Sequence, residues 1–126
     1  MKITAILFMV SLEPSVEFWT KRMGFELTAS VPHGGKMGFA MLHKGQTELM
    51  LQSHESAAED LVSTAEHCRN SKSVLYIEVE DFEDLKKRIA GMPVALPERT
   101  TFYGMREIGV MEPGGHLVLF ASAVKR

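Results

Sequence analysis

A chain of 126 residues that is 45% hydrophobic and 24% charged suits one globular domain, or two half-domains sharing a core, and leaves no room for a second full domain. Its formal net charge of -2 comes without a clustered stripe of Lys and Arg, which removes the counterion-release term behind nucleic-acid affinity, and no stretch is long and apolar enough to cross a bilayer. Cys68 is the single cysteine, so an internal disulfide is excluded and a reducing, cytoplasmic location is expected.

Residues 2 to 10 are β-rich and mostly apolar, as in a strand buried on both faces or nearly so. The segment imitates a signal peptide, but it runs into Glu13 and Pro14 without a small-residue cleavage site, and it is read as a strand. Pro14 and Ser15 then open a helix through Val16, Phe18, Trp19 and Met23, with Gly24 placed as a left-handed cap. Phe18 and Trp19 have the spacing of core side chains. Alternation predicts a strand from Phe25 to Val31, a loop at Pro32-His33-Gly34-Gly35, and a hairpin of residues 37 to 42 and 46 to 52 around Lys44-Gly45.

Ser56-Ala57-Ala58-Glu59 has capping-box form and predicts a connecting helix to about Cys68, followed by a linker at Asn70-Ser71-Lys72-Ser73. Val74 to Val79 then reads as a strand. Asp81 caps a helix carrying Phe82, Leu85 and Ile89 on one face, and Gly91 ends it. Strands are expected at 92 to 96, 105 to 111 and 116 to 122, with Glu112-Pro113-Gly114-Gly115 as the last turn. Strand, helix and three strands thus occur twice, roughly seventy residues apart, the mark of an internal repeat. The expected organisation is a single domain with a first module at 1–54, a connecting helix and linker at 55–72, and a second module at 73–126. The pattern leaves open how the halves pair.

Tyr103-Gly104-Met105-Arg106-Glu107, continuing to Glu112-Pro113-Gly114-Gly115-His116, resembles the aromatic-Gly-x-Arg-Glu-Phe and Asp-Pro-x-Gly-Asn/His signature of bleomycin-resistance-like proteins. Ser15-Val16-Glu17-Phe18-Trp19 with Met23-Gly24-Phe25 is similar to the Ser-x-x-Phe-Tyr and Leu-Gly-Phe helix of the same vicinal-oxygen-chelate superfamily, which also holds glyoxalases and extradiol dioxygenases. The resemblance implies an α+β fold of two βαβββ modules forming a curled mixed sheet around a ligand cavity. Side chains alternate across a strand, so Ile3, Ala5, Leu7 and Met9 are expected against the helix, with Thr4, Ile6 and Phe8 toward the cavity. On the fourth strand Leu49 and Leu51 are expected against the helix, with Glu48, Met50 and Gln52 inward.

Metal-dependent members of that superfamily place ligands at positions that match Thr4, Glu48, Val74 and Leu119. Only Glu48 coordinates well, and one carboxylate does not make a catalytic metal site, so neither a metal nor another cofactor is expected. The five histidines, His33, His43, His54, His67 and His116, are read as solvated polar residues outside any ligand set. Cys68 beside His67 does not make a thiol dyad, because adjacent helical side chains diverge and no orienting acid is evident. No glycine-rich phosphate loop opens a helix.

Glu48 is then either a cavity carboxylate with a raised pKa, able to act as a base or to pair with a cationic ligand, or an edge carboxylate in water. Tyr103 takes the place of the aromatic in the resembling motif, and Phe39 that of a groove-lining stacker, with a plain core role for Phe39 equally open. Met50 and Met37 suit an adaptable lining. Arg106 either clamps an anion or forms a structural ion pair with Glu107 or Glu112. The expected ligand-binding residues are Glu48, Tyr103, Phe39, Phe8, Met50 and Arg106. The resemblance implies a homodimer that binds a small or medium amphipathic or aromatic ligand without a metal. The alternative is a metal-dependent lyase, isomerase or dioxygenase of the same superfamily.

Overall fold

The computed structural model describes residues 1–124. Contacts gather the chain into two compact units that divide between Lys72 and Ser73. In the first, β1 (Ala5–Met9) leads into α1 (Glu13–Glu17), which widens into a π-helical turn over Phe18–Arg22. Then come β2 (Glu26–His33), β3 (Lys36–Lys44), β4 (Thr47–Ser53), α2 (His54–Asp60), a 3-10 turn at Val62–Thr64 and α3 (Ala65–Asn70). The second unit holds β5 (Val74–Glu78), α4 (Phe82–Arg88), β6 (Val94–Thr100), β7 (Met105–Met111) and β8 (Leu117–Ala123).

Each unit has one four-stranded mixed sheet, ordered β1-β4-β3-β2 and β5-β8-β7-β6. In both, the first strand pairs in parallel with the fourth and the remaining pairs are antiparallel. The fold is therefore α+β, made of two similar βαβββ modules, as the repeat and the resemblance lead one to expect.

Side-chain parity decides which face of each sheet is buried. Leu7, Met9, Ala40, Leu42, Leu49 and Leu51 form the first unit's buried face, and Leu12, Val16, Trp19 and Met23 are buried in the same unit. Ile108, Val110, Val118 and Phe120 do the same in the second, where Phe82, Leu85 and Ile89 of the α4 segment are also buried. Ile3 and Ala5, expected against the helix, are exposed: Ile3 precedes β1 and Ala5 is its first residue, so the buried parity begins only at Leu7. Phe18 and Phe25 meet the Trp19 ring edge-on at 5.0 and 5.2 Å between centroids.

Several boundaries differ from expectation for local reasons. The helix expected at Ser56 starts at His54, because Ser53 Oγ accepts the Ser56 backbone N–H at 3.1 Å and caps it one turn earlier. That helix also breaks at the 3-10 turn before α3. β2 runs on through Pro32 and His33, so Gly34 and Gly35, with φ of 58° and 79°, make the turn alone. β6 reaches Thr100, beyond the short strand expected there.

Candidate functional site

Opposite its buried face, the first sheet carries three rungs fixed by strand register. Glu48 pairs with His43, Met50 lies between Ile6 and Met41, and Gln52 lies between Phe8 and Phe39. Period-two alternation therefore collects Phe8, Phe39, Glu48 and Met50 on one face of one sheet, where Phe8, Phe39 and Met50 are half-buried.

Glu48 is the polar end of that face. Its side chain is 7% exposed, and it receives Lys2 Nζ at 2.6 Å, His43 Nε2 at 2.7 Å and Thr4 Oγ1 at 3.2 Å. Hydrogen bonds from Lys2 and then His43 outweigh the opposing effect of burial and hold the carboxyl at about 2. The raised pKa considered for a general base is thus reversed: Glu48 is firmly ionised and a weak base at neutral pH. His43, expected as a solvated residue, lies on β3 and bridges Glu48 to Thr28, whose Oγ1 is 2.6 Å from Nδ1.

At the other end of the face, Phe39 and Gln52 line a cavity of about 520 Å³ together with residues from the end of β2 and from α2. Gly38 belongs to its construction. A Cβ there would stand 2.5 Å from His33 Cβ and 3.2 Å from Ser56 Cβ, so only glycine lets both side chains close on β3.

In the second unit a carboxylate missing from the expected set, Glu107 on β7, is 1% exposed. It accepts from Tyr76 OH at 2.9 Å, from Arg99 Nε and Nη2 at 3.0 and 2.9 Å, and from Tyr103 OH at 3.5 Å. Burial works against its charge, yet the Tyr76 and Arg99 hydrogen bonds bring its pKa below the ordinary value. Burial, then the bond to Glu107, pushes Tyr76 up to about 12. The signal for Glu107 was its place on β7, one residue from the inward-packed Ile108 and so on the other face.

Tyr103 thus joins the Glu107 cluster, while Arg106 falls on the opposite parity. Its guanidinium lies 4.5 Å over the Phe82 ring and binds Glu98 at 2.8 Å and Glu83 at 2.6 Å. The ion-pair partners are therefore neither Glu107 nor Glu112, as parity sends the first to the other face. Met37 donates its backbone N–H to Glu13 Oε2 at 2.9 Å near the start of β3. His116, expected in solvent, is buried, with its Nδ1 2.8 Å from Ser73 Oγ. Cys68 is buried too.

The four positions matched to superfamily metal ligands do not fit a divalent ion. Val74 and Leu119 offer no donor atom, and the one strong donor, Glu48, is held by Lys2 and His43. Register also shows that the set is not symmetric under the repeat. The buried pairs Leu42–Leu49 and Val110–Val118 correspond, which equates Glu48 with Leu117 and Met50 with Leu119. Among the described residues, no three His, Cys, Asp or Glu side chains converge as a metal site.

The sheet topology, its duplication and the Arg-Glu and Pro-Gly-Gly motifs define a glyoxalase-type class of protein. The family model for the Glyoxalase/Bleomycin resistance protein/Dioxygenase superfamily matches residues 3–120, and the chain belongs to that superfamily. No curated protein sequence matches it at a significant level. Similar solved structures include a glyoxalase/bleomycin resistance protein/dioxygenase from Nocardioides, 22% identical with a TM-score of 0.75 over 99% of this chain and 85% of that one. A lactoylglutathione lyase from Agrobacterium tumefaciens is 16% identical with a TM-score of 0.78 over 97% and 92%. The bleomycin-binding protein from bleomycin-producing Streptomyces verticillus, complexed with copper(II)-bleomycin, is 23% identical with a TM-score of 0.62 over 100% and 97%. At these identities the likeness speaks for the fold alone. Among the described residues, no helix is long and apolar enough to cross a membrane.

Proposed function

We propose that this chain binds and sequesters a small or medium amphipathic, aromatic ligand without a metal ion, acting as a cytoplasmic homodimer. The observation that carries the reading is the shared face of the first sheet, where Phe8, Phe39 and Met50 stand half-buried between the fixed charge of Glu48 and the cavity beside Gln52. Flat rings and a thioether suit a conjugated ligand, and a cavity of this size lies in the range of small-molecule sites. Within the second unit, Tyr103 is an exposed aromatic whose hydroxyl lies 3.5 Å from Glu107 Oε2. Arg106, engaged by Glu83, Glu98 and Phe82, serves the fold of the second unit.

The donor set at Thr4, Glu48, Val74 and Leu119 supports the metal-free form of the reading, since metal-assisted isomerisation or oxygen chemistry needs several ligands on one ion. The test is thermal unfolding against bleomycin and smaller aromatic compounds, after chelation and dialysis. A specific ligand at one hundred times its Kd adds about 2.7 kcal/mol of stability, and Phe39→Ala should remove most of that gain. Stoichiometric zinc, nickel, manganese or iron in the purified protein, with turnover of a glyoxalase or dioxygenase substrate, would overturn it. Sedimentation at micromolar concentration tests the dimer, and a monomer there removes that part.

A further inference from the structure

We infer that Thr28, His43 and Glu48 act as nucleophile, base and orienting acid in the hydrolysis of an activated ester. This is an activity beyond the binding proposed above, at the polar end of the same face.

The geometry begins at a fault in the strand ladder. β3 pairs Leu42 with Leu27 and Met41 with Ala29, so Thr28 is the extra residue of a β-bulge on β2, the outermost strand of the first sheet. A bulge leaves its residue out of the ladder and re-aims its side chain, and bulges concentrate beside active sites. Here an exposed hydroxyl, Thr28 Oγ1, stands 2.6 Å from His43 Nδ1, and the other ring nitrogen, Nε2, stands 2.7 Å from Glu48 Oε2.

Charge sets the direction of this chain of hydrogen bonds. Ionised Glu48 can only accept, so Nε2 carries the ring proton, and in a neutral imidazole the lone pair on Nδ1 then faces Thr28 Oγ1. The hydroxyl donates to Nδ1, the nearer of its two acceptors, since the Met41 carbonyl is 3.3 Å away. Lys2 and Thr4 hold the carboxylate in turn. Exposure rises from the acid, at 7%, through the base, at 32%, to the exposed hydroxyl, so the activated end is the one that solvent and substrate reach. A hydroxyl is a weak nucleophile alone, and a base in hydrogen-bond reach that is itself oriented by a third group activates it.

The neighbouring rung of the face is Ile6, Met50 and Met41, an apolar bed for the acyl group. Thr28 Oγ1 attacks the ester carbonyl carbon as its proton passes to His43 Nδ1. The adduct collapses by breaking the bond to the alcohol oxygen, which leaves with that proton, and the acyl group stays on Thr28. Water then attacks the acyl-threonine, its proton passing by Nδ1 to Oγ1, and the carboxylic acid is released.

The test is turnover of p-nitrophenyl butyrate by the intact chain, read as p-nitrophenol release and as mass gained by the protein. The expected result is a butyryl group on the peptide that carries Thr28. Thr28→Ala and His43→Gln should each lower kcat roughly a hundredfold, the scale of a positioned base, and Thr28→Ser should keep turnover. Glu48 is a positioning residue, so Glu48→Gln should lower kcat and leave KM unchanged. Because that change also removes ion pairs that support the fold, the Thr28 variants, which keep them, are decisive. Equal rates in the parent and Thr28→Ala, or butyryl groups on lysines alone, overturn the assignment. Aromatic ligands that bind while the ester is not turned over do the same and leave the binding function standing, whereas Thr28-dependent turnover without any ligand-induced stability upholds the triad and removes sequestration.

Discussion

The two units share one topology but place their ionised groups in opposite corners of it. When the buried pairs are matched, the Phe39–Gln52 rung of the first sheet corresponds to the Glu107–Ala121 rung of the second, and the His43–Glu48 rung corresponds to Met111–Leu117. The first unit therefore has its held carboxylate where the second is hydrocarbon, and an aromatic ring where the second buries Glu107. Duplication preserves the inward parity, because a one-residue slip would turn every core side chain to the wrong face. The other face is free of that constraint, and there the halves differ: the first carries half-buried Phe8, Phe39 and Met50, the second an internally satisfied polar cluster around Glu107.

The largest expected effects come from the conserved geometry of the buried faces. Leu51 and Phe120 occupy matching places, both with no measurable exposure. Leu51→Ala should cost roughly 2–5 kcal/mol and Phe120→Ala roughly 3–5 kcal/mol in urea unfolding, since each removes transfer energy and leaves a cavity. A loss under about 1 kcal/mol at Phe120 would break the match between the two cores.

The response to pH ranks next and separates the units by sign. Glu48 titrates at about 2 when folded against an ordinary 4.5, so the stability it contributes is complete above pH 4.5 and drains away as pH falls toward 2. Tyr76 titrates at about 12 against 10, so its contribution is complete below pH 10 and is lost as pH rises through 12. Glu48→Gln should flatten part of the acid limb of a urea-midpoint profile and Tyr76→Phe part of the alkaline limb. Unchanged acid sensitivity in Glu48→Gln would mean that Lys2 and His43 do not hold the carboxylate in solution.

The bare glycines sharpen the contrast on a smaller scale. An added Cβ at Gly38 meets two Cβ atoms anchored to backbone, those of His33 and Ser56, whereas at Gly109 it meets the movable Leu119 Cδ2 at 2.7 Å and Leu96 Cβ at 2.9 Å. Gly38→Ala should thus fall at the upper end of the roughly 1–3 kcal/mol cost of overpacking, with Gly109→Ala lower. Only Gly38→Ala should also weaken ligand binding, because His33 and Ser56 line the cavity. Equal binding by the parent and Gly38→Ala proteins would detach the glycine from the site.

What could be read from the chain follows from the range of the interactions. Alternation along Thr47–Ser53 is local, so the common face of Glu48, Met50 and Gln52 is legible, and the Arg-Glu motif marks β7. The partners of those residues are not local. Glu107 draws Tyr76 from 31 residues away, Arg106 draws Glu83 from 23, and His116 is buried by Ser73 at a separation of 43. Hydropathy carries no record of such pairs, so Arg106 is assigned the wrong partners and His116 the wrong environment. The Gln52 cavity falls between these cases: the strand parity is readable, but the reach to Ser56 and Asp60 depends on α2 starting one turn earlier than its capping box suggests.

That early start supplies the smallest and most local comparison. Ser53 Oγ accepts the Ser56 N–H at 3.1 Å, and Asp81 Oδ1 accepts the Asp84 N–H at 3.0 Å, so the same device opens α2 and α4. Ser53→Ala and Asp81→Ala should each cost about 1 kcal/mol, the usual value of an N-cap. Their consequences should differ. Ser53 caps the helix that carries Ser56, Glu59 and Asp60, so its loss loosens the cavity wall beside Gln52 and should weaken binding of the ligand proposed for that face, whereas Asp81→Ala should leave that binding as it is. If both caps reduce stability alike and both leave the affinity untouched, α2 is not what holds the cavity in shape.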